Sequence, residues 1–291
     1  MDVLERYNQL LRTTEDGTLR LLNRVLDQAF NRLVRRARVH MRAGYADPVQ
    51  RNLALLQEFR QLVPAYRPDR TDAYDRVLRT LMGEAGTRGL EVADDLTGRM
   101  APGRPRIDVS IPLDATVAAA SQARGYLVRH GADFAQKSAE VVAQGVVEGR
   151  STDAMIRDMR LRLGVVKSRA ETIVRTEALR AYNDASNTYY ATQGIDLCMW
   201  YATADDRSCD ICAPRAGEIF KRAEIKAPCH PRCRCYLAPW DADLAAIDAD
   251  YAAQRERHAK DVAKAYARVS PEPVSLNRAA VFEQFAPVPV N

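Results

Sequence analysis

The chain has 291 residues, of which 47% are hydrophobic and 28% are charged, a composition typical of one or two globular domains and not of a disordered chain. No apolar run is long enough to span a bilayer, and the first residues lack the layout of a signal peptide. We therefore expect a cytosolic, reducing environment and no membrane partner. The net charge of +5 arises from 43 basic residues, most of them arginine, against 38 acidic residues.

Residues 1–100 are predicted to form a helical N-terminal region, because apolar residues from Leu22 to Met41 recur at three- and four-residue intervals. Helices are predicted over 1–45, over 48–63, and from 71 towards 97. Arginines cluster between positions 24 and 42. Four of them are candidates for contact with DNA or an acidic partner, with a solvated helix face as the alternative interpretation: Arg32, Arg35, Arg36 and Arg38.

A Pro- and Gly-rich linker is predicted over residues 101–113, because these residues break helices. A domain over 114–240 follows, and its first part, 114–193, is predicted to be helical. Three helices are expected there: one from Asp114 to Val147, one from Ser151 to Gly164, and one from Lys167 to Gln193, with Gly194 as the C-terminal stop.

The residue pattern changes after Gly194 from helical to strand-like. A strand is predicted over 197–203, a hairpin around 216–220, and a further strand over 233–237 that Pro239 and Trp240 close. Residues 241–291 are predicted to be a C-terminal helix and a Pro-rich tail. The predicted fold class is therefore mainly α, with a small α+β Cys/His-rich module over 195–240.

Five of the chain's candidate metal ligands fall between positions 209 and 235. The Cys-x2-Cys spacing lets two thiolates from one turn meet a tetrahedral ion, and a His-x2-Cys-x-Cys segment follows it. We predict a structural Zn²⁺ held by Cys209, Cys212, His230 and Cys235. Cys233 is the alternative fourth ligand, because alternation along a strand would place the side chains of Cys233 and Cys235 on the same face. Four protein ligands leave no position for a catalytic water.

Other interpretations of the cysteines remain open at this point. A redox-sensitive or disulfide arrangement, or plain packing, would also account for them, since cysteine is often a small buried residue. Packing is the interpretation preferred for Cys198, which lies in an apolar strand, and for Cys229.

Several motifs in the second half of the chain occur in a specific order. They are Arg175-Thr176-Glu177, Asn183, Trp200-Tyr201-Ala202-Thr203, Cys209-x2-Cys212, Gly217 and His230-Pro231-Arg232-Cys233-Arg234-Cys235. In order and spacing, residues 114–240 resemble the tailed-phage minor head protein family, which comprises the Mu F-like head morphogenesis proteins and the SPP1 minor head protein.

This resemblance implies a structural virion component without enzymatic activity that supports capsid assembly and genome packaging or delivery. It implies the portal protein as partner, with the major capsid protein as a second, and non-specific contact with packaged double-stranded DNA. The protein would lie inside the capsid near the portal vertex, and in the host cytoplasm during assembly. It also implies helix-anchoring polar contacts for Arg175 and Glu177, with exposure of both charges as the alternative.

Two other function classes compete with this interpretation. A zinc-stabilised DNA-binding protein would need a strongly basic face beside the metal, but the charge of residues 201–240 is only modestly positive. A nuclease or an ADP-ribosyltransferase-like enzyme would need a catalytic motif. The histidines outside the predicted metal site lie in no recognisable catalytic context, and the chain carries no known phosphate-binding or nucleophile motif.

Overall fold

The structure, a computed structural model, describes residues 3–42, 50, 54, 57, 72–102, 113–150, 152–205 and 207–268. The predicted linker core 103–112, the Pro-rich tail beyond 268, and all but three positions of the predicted helix 48–63 lie outside these residues. Among the helices that are described, none combines the length and the apolar character needed to cross a membrane.

The fold class predicted from the sequence is confirmed, since long helices precede a small antiparallel sheet. The helices of the first part are α1 (Val3–Arg42), α2 (Asp72–Met100), α3 (Leu113–Val147) and α4 (Thr152–Thr192). The sheet consists of β1 (Leu197–Tyr201), β2 (Ile219–Lys221) and β3 (Tyr236–Trp240), and it is followed by α5 (Ala242–Ile247) and α6 (Ala249–Tyr266).

The predicted helix break at Gly164 is wrong, because α4 runs without interruption for 41 residues. A glycine inside a helix costs only about 1 kcal/mol relative to alanine. Burial of Leu163 and Val166 on either side of it outweighs that cost, since both are less than 9% exposed. The glycines that do end helices, Gly149 and Gly194, have φ angles of 67° and 68°, the left-handed conformation of a helix C-terminus.

The chain divides into two compact units, of which the first comprises residues 1–89 and 110–182. In this unit α1 and α4 are antiparallel, as two ion pairs show. Lys167 Nζ lies 2.6 Å from Asp27 Oδ1, and Arg175 Nη1 lies 2.8 Å from Glu15 Oε2. The apolar stripe of α1 is buried in the core of the unit, and its members include Leu11, Leu22, Leu26 and Phe30.

The second unit comprises residues 90–109 and 183–291 and contains the sheet, with the strand order β2-β1-β3. The predicted strand over 233–237 is shifted in the structure, because β3 begins at Tyr236 and includes Pro239. Proline is tolerated there because β3 is an edge strand. Asn183 covers part of the free edge: its Nδ2 donates to the carbonyl of Cys235 and its Oδ1 accepts from the Leu237 N–H.

Helix α6 packs against the loop between β1 and β2 and against the end of β1. The His258 ring stacks on Tyr201 with centroids 4.0 Å apart, and its Nε2 accepts from the Ala202 N–H. Gly217 makes the closest approach, since a Cβ at this position would lie 2.3 Å from the carbonyl oxygen of Arg255.

We expect Gly217→Ala to destabilise the protein by about 2–3 kcal/mol. The φ of Gly217 is 75°, a conformation that costs an alanine about 1–2 kcal/mol, and the new methyl group would push α6 away. Urea denaturation followed by the fluorescence of Trp200 and Trp240 measures the change. Gly98→Ala is the matched control, because a Cβ there meets no atom within 4 Å; equal losses from both substitutions would contradict the argument.

Candidate metal centre

Two loops of the second unit bring the Cys/His residues together. The first is a tight turn in which the N–H groups of Cys212 and Ala213 both donate to the carbonyl of Cys209, at 3.1 and 2.9 Å. The second closes on itself through a bond from the Cys233 N–H to the His230 carbonyl. Thiol and imidazole groups of both loops line one small cavity.

The shortest contacts in this space centre on Cys212. Its Sγ lies 3.1 Å from His230 Nε2 and 3.8 Å from each of the sulfurs of Cys229 and Cys233. These four residues each place one ligand atom within 4.8 Å of all the others. Cys209 Sγ lies 3.2 Å from the same His230 Nε2.

The four residues could hold a metal ion, and two of their sulfur–sulfur separations suit tetrahedral zinc. Sulfur ligands at about 2.3 Å from such an ion lie about 3.8 Å apart, which is the separation that Cys212 has from both Cys229 and Cys233. His230 Nδ1 is 2.8 Å from the Pro231 carbonyl, so the Nδ1–H donates there and Nε2 keeps its lone pair for a metal. Three thiolates and one imidazole form a closed structural zinc set.

Hydrogen bonds within the cluster favour the charged form of Cys209 and Cys233, whereas hydrogen bonds with Cys209, Cys229 and Cys233 hold the pKa of Cys212 well above its usual range. The hydrogen bond from Cys212, followed by that from His230, lowers the pKa of Cys209 to about 4 despite its partial burial. The pKa of Cys233 is also held well below its usual range, first by Cys212 and then by Cys229. Contacts with Cys209 and Cys233 raise the pKa of His230 to about 10. A divalent cation can take the place of the protons that the thiols and the His230 imidazole share in these hydrogen bonds.

Only some of the ligands predicted from the sequence belong to the group of four residues. Cys212, His230 and the alternative ligand Cys233 belong to the group of four, whereas Cys209 and Cys235 lie outside it. Alternation along a strand does not apply to Cys233 and Cys235, because both precede β3. Which thiols bind an ion stays a prediction.

Cys229 was not among the ligands predicted from the sequence, yet it belongs to the group of four. The sequence offered one signal for Cys229. It is adjacent to His230, and along the chain it is one residue closer to the Cys209–Cys212 turn than His230 is. The packing interpretation holds for Cys198, which lies fully buried in β1. Burial raises the pKa of its thiol to about 12.

An ion pair holds the two ligand loops together. The Arg234 guanidinium donates through both Nη atoms to the Asp205 carboxylate, and the Thr203 hydroxyl donates to the Arg234 carbonyl. Although burial raises the pKa of Asp205, its bond with Arg234 holds it below the usual value. Arg234 lies between two cysteines of the second loop, so its contacts with Asp205 and Thr203 hold that loop against the segment that precedes the first loop.

We expect Arg234→Gln to weaken zinc affinity about tenfold without removing a ligand, because outer contacts orient metal ligands. Competition with a chromophoric chelator measures the affinity. Arg207→Gln is the matched control: its side chain is 66% exposed and only 3.9 Å from Asp205 at its closest. An unchanged zinc affinity in the Arg234 variant would show that the ion pair between Arg234 and Asp205 does not position the ligands.

The other predicted functional residues lie in the first unit. Arg175 donates to Glu15 and Asp16 of α1 and to Glu171 of its own helix, and Glu177 is 4% exposed and paired with Arg180. Both charges are thus held in contacts. Arg32, Arg35 and Arg38 are exposed on α1, whereas the side chain of Arg36 lies outside the described part.

Comparison with known proteins agrees with the resemblance predicted from the sequence. Residues 136–238 match the family model described as Phage Mu protein F like protein. No curated protein and no solved structure matches the chain. The matched segment includes the Arg175–Glu177 motif and both loops of the Cys/His cluster, so the chain contains a Phage Mu F-like region over residues 136–238.

Proposed function

We propose that this chain is a phage minor head protein, a structural component of the virion that supports capsid assembly and genome packaging or delivery. The match of residues 136–238 to the Phage Mu F-like family carries the proposal. The cluster within this segment supports a structural role. Three thiols and one imidazole would fill the coordination of a zinc ion, so the ion would stabilise the loops and leave no place for substrate. No enzymatic activity is proposed.

The proposed partners are the portal protein, with the major capsid protein as a second partner, and packaged double-stranded DNA. Helices of 40 and 41 residues, α1 and α4, offer long surfaces to a large assembly. The exposed Arg32, Arg35 and Arg38 on α1 support non-specific phosphate contacts, which require no base recognition. The proposed location is the capsid interior near the portal vertex.

Mass spectrometry of purified particles of the encoding phage tests this proposal. We expect the chain in mature virions in far fewer copies than the major capsid protein, with chemical cross-links to the portal. Its absence from virions would contradict the proposal.

A zinc-stabilised DNA-binding protein is the second function to be tested. Gel shifts with short duplexes at several salt concentrations distinguish the two functions, because the proposed phosphate contacts predict weak, salt-sensitive binding without sequence preference. Tight and sequence-selective binding would favour the DNA-binding protein. Chelator-sensitive cleavage of the same duplexes would favour a nuclease.

A further inference from the structure

Helix α4 carries an apolar pair on its exposed surface. Leu161 is 74% and Val165 is 53% exposed, although the neighbouring Leu163 and Val166 are buried. Residues four positions apart lie on one side of a helix, and Arg157 and Arg169 continue this line in both directions. All four side chains are exposed. We call Arg157, Leu161, Val165 and Arg169, together with the adjacent exposed Arg162, the basic stripe.

The same chain contains a segment of the opposite charge. Residues 241–250 include four aspartates and no basic residue. Ile247 is 85% exposed, more than any other large apolar side chain in the described part of the chain. Asp243 is exposed on α5, and the Asp250 side chain is 98% exposed. We call residues 241–250 the acidic segment.

We propose that the acidic segment of one copy of this protein docks on the basic stripe of a second copy. Ile247 would cover Leu161 and Val165, whose Cα atoms are about 6 Å apart along the helix. Asp243 and Asp250 would face the flanking arginines, since the side chains of Asp241 and Asp248 accept from backbone N–H groups of their own helices. The apolar pair favours a protein partner over nucleic acid, because phosphates satisfy arginines but leave exposed leucine and valine uncovered. This interaction is additional to the function proposed above.

The proposed contact joins two different surfaces of the chain. Two copies can exchange it reciprocally in a dimer, or each copy can bind the next in one direction, which is a heterologous contact. Such contacts generate rings where the rotation closes and open filaments where it does not. Association should grow with concentration and should weaken with salt, because part of the attraction is between exposed charges.

Analytical ultracentrifugation of the full chain at low and high salt tests the proposal. We expect the charge reversals R157E/R162E and D243R/D250R each to weaken self-association about tenfold or more. An equal mixture of the two variants should recover association, because each reversed surface then meets a complementary one. Ile247→Ser should also weaken association without changing any charge. Circular dichroism shows whether the variants keep their helices.

The variant R76E/R99E is the matched control, because it reverses two exposed arginines of α2 outside the stripe and should associate like the parent chain. A parent chain that is monomeric at all concentrations would overturn the proposal. So would a mixture that fails to recover association. If R157E/R162E lost binding to a DNA duplex and kept self-association, the stripe would be a nucleic-acid surface instead.

Discussion

Replacing Cys229 with serine is expected to remove zinc from the purified protein, whereas Cys235→Ser is expected to retain it. Cys229 belongs to the four residues whose ligand atoms lie within 4.8 Å of one another, and Cys235 does not. A serine hydroxyl is a poor substitute for a thiolate, and structural zinc contributes on the order of 10 kcal/mol to folding in small domains. Elemental analysis after dialysis against a weak chelator measures the metal content, with one ion per chain expected for the parent protein.

The comparison distinguishes two ligand sets in one experiment. If Cys235→Ser loses the metal and Cys229→Ser retains it, the ligands are those predicted from spacing. A parent protein without metal would show that the cluster does not hold an ion. Substitution with Co²⁺ gives a second measurement, because the absorption of the bound ion depends on how many sulfurs bind it and does not depend on the stability of each variant.

Removal of the metal from the parent protein is expected to unfold the loops around the sheet and to leave the long helices in place. The sheet has strands of five, three and five residues, too few to be stable without additional support. Far-UV circular dichroism should therefore change little on addition of a strong chelator, while the emission of Trp200, which lies in the same core as Cys212, Cys233 and Cys235, should change strongly. A large loss of helical signal would contradict this expectation.

The sequence predicts the helices well where local signals coincide. The apolar periodicity of α1 and the glycines after α3 and α4 act within a few residues, so the ends of these helices were predictable. The continuity of α4 through Gly164 was not, because it depends on the burial of Leu163 and Val166 by residues distant in sequence. The position of β3 likewise depends on its pairing with β1, which allows Pro239 at the edge.

The metal cluster shows the same division between local and non-local information. Spacing indicates that the thiols of one turn can share an ion, but it does not determine which thiols of a second loop reach it. That choice depends on the path of residues 229–235, where Arg232 has a φ of 62°. Contacts across long separations, such as the pair between Arg175 and Glu15, carry no local signal in the sequence at all.

Replacing Arg175 with methionine is expected to destabilise the protein by about 2 kcal/mol at pH 8.5, because the buried Glu15 carboxyl loses its partner and must take up a proton to remain buried. Glu15 is only 5% exposed. Burial raises its pKa to about 7, although the charge and the hydrogen bond of Arg175 lower it. Without Arg175 the pKa would rise further. Urea denaturation followed by the helical circular dichroism signal measures the loss.

The effect should depend on pH in a defined direction. Because the pKa of Glu15 is higher in the folded chain than its ordinary value of 4.5, its contribution to stability is fully present below pH 4.5 and is lost as the pH rises through 7. The stability that the parent protein loses between pH 4.5 and pH values above 7 through the ionisation of Glu15 is about 3 kcal/mol. In the Arg175→Met variant the loss extends to higher pH, so the variant should approach the parent stability at pH 5 and fall well below it at pH 8.5.

The double variant Arg175→Met/Glu15→Gln isolates the carboxylate. Glutamine keeps nearly the same shape and cannot ionise, so the difference between the double and the single variant should be small at pH 5 and large at pH 8.5. The remaining acidic partners of Arg175, Asp16 and Glu171, are 50% and 43% exposed, and loss of their pairing costs at most about 1 kcal/mol. A loss in the single variant that is equal at both pH values would mean that Arg175 stabilises the helix pair by packing and not by compensating the charge of Glu15.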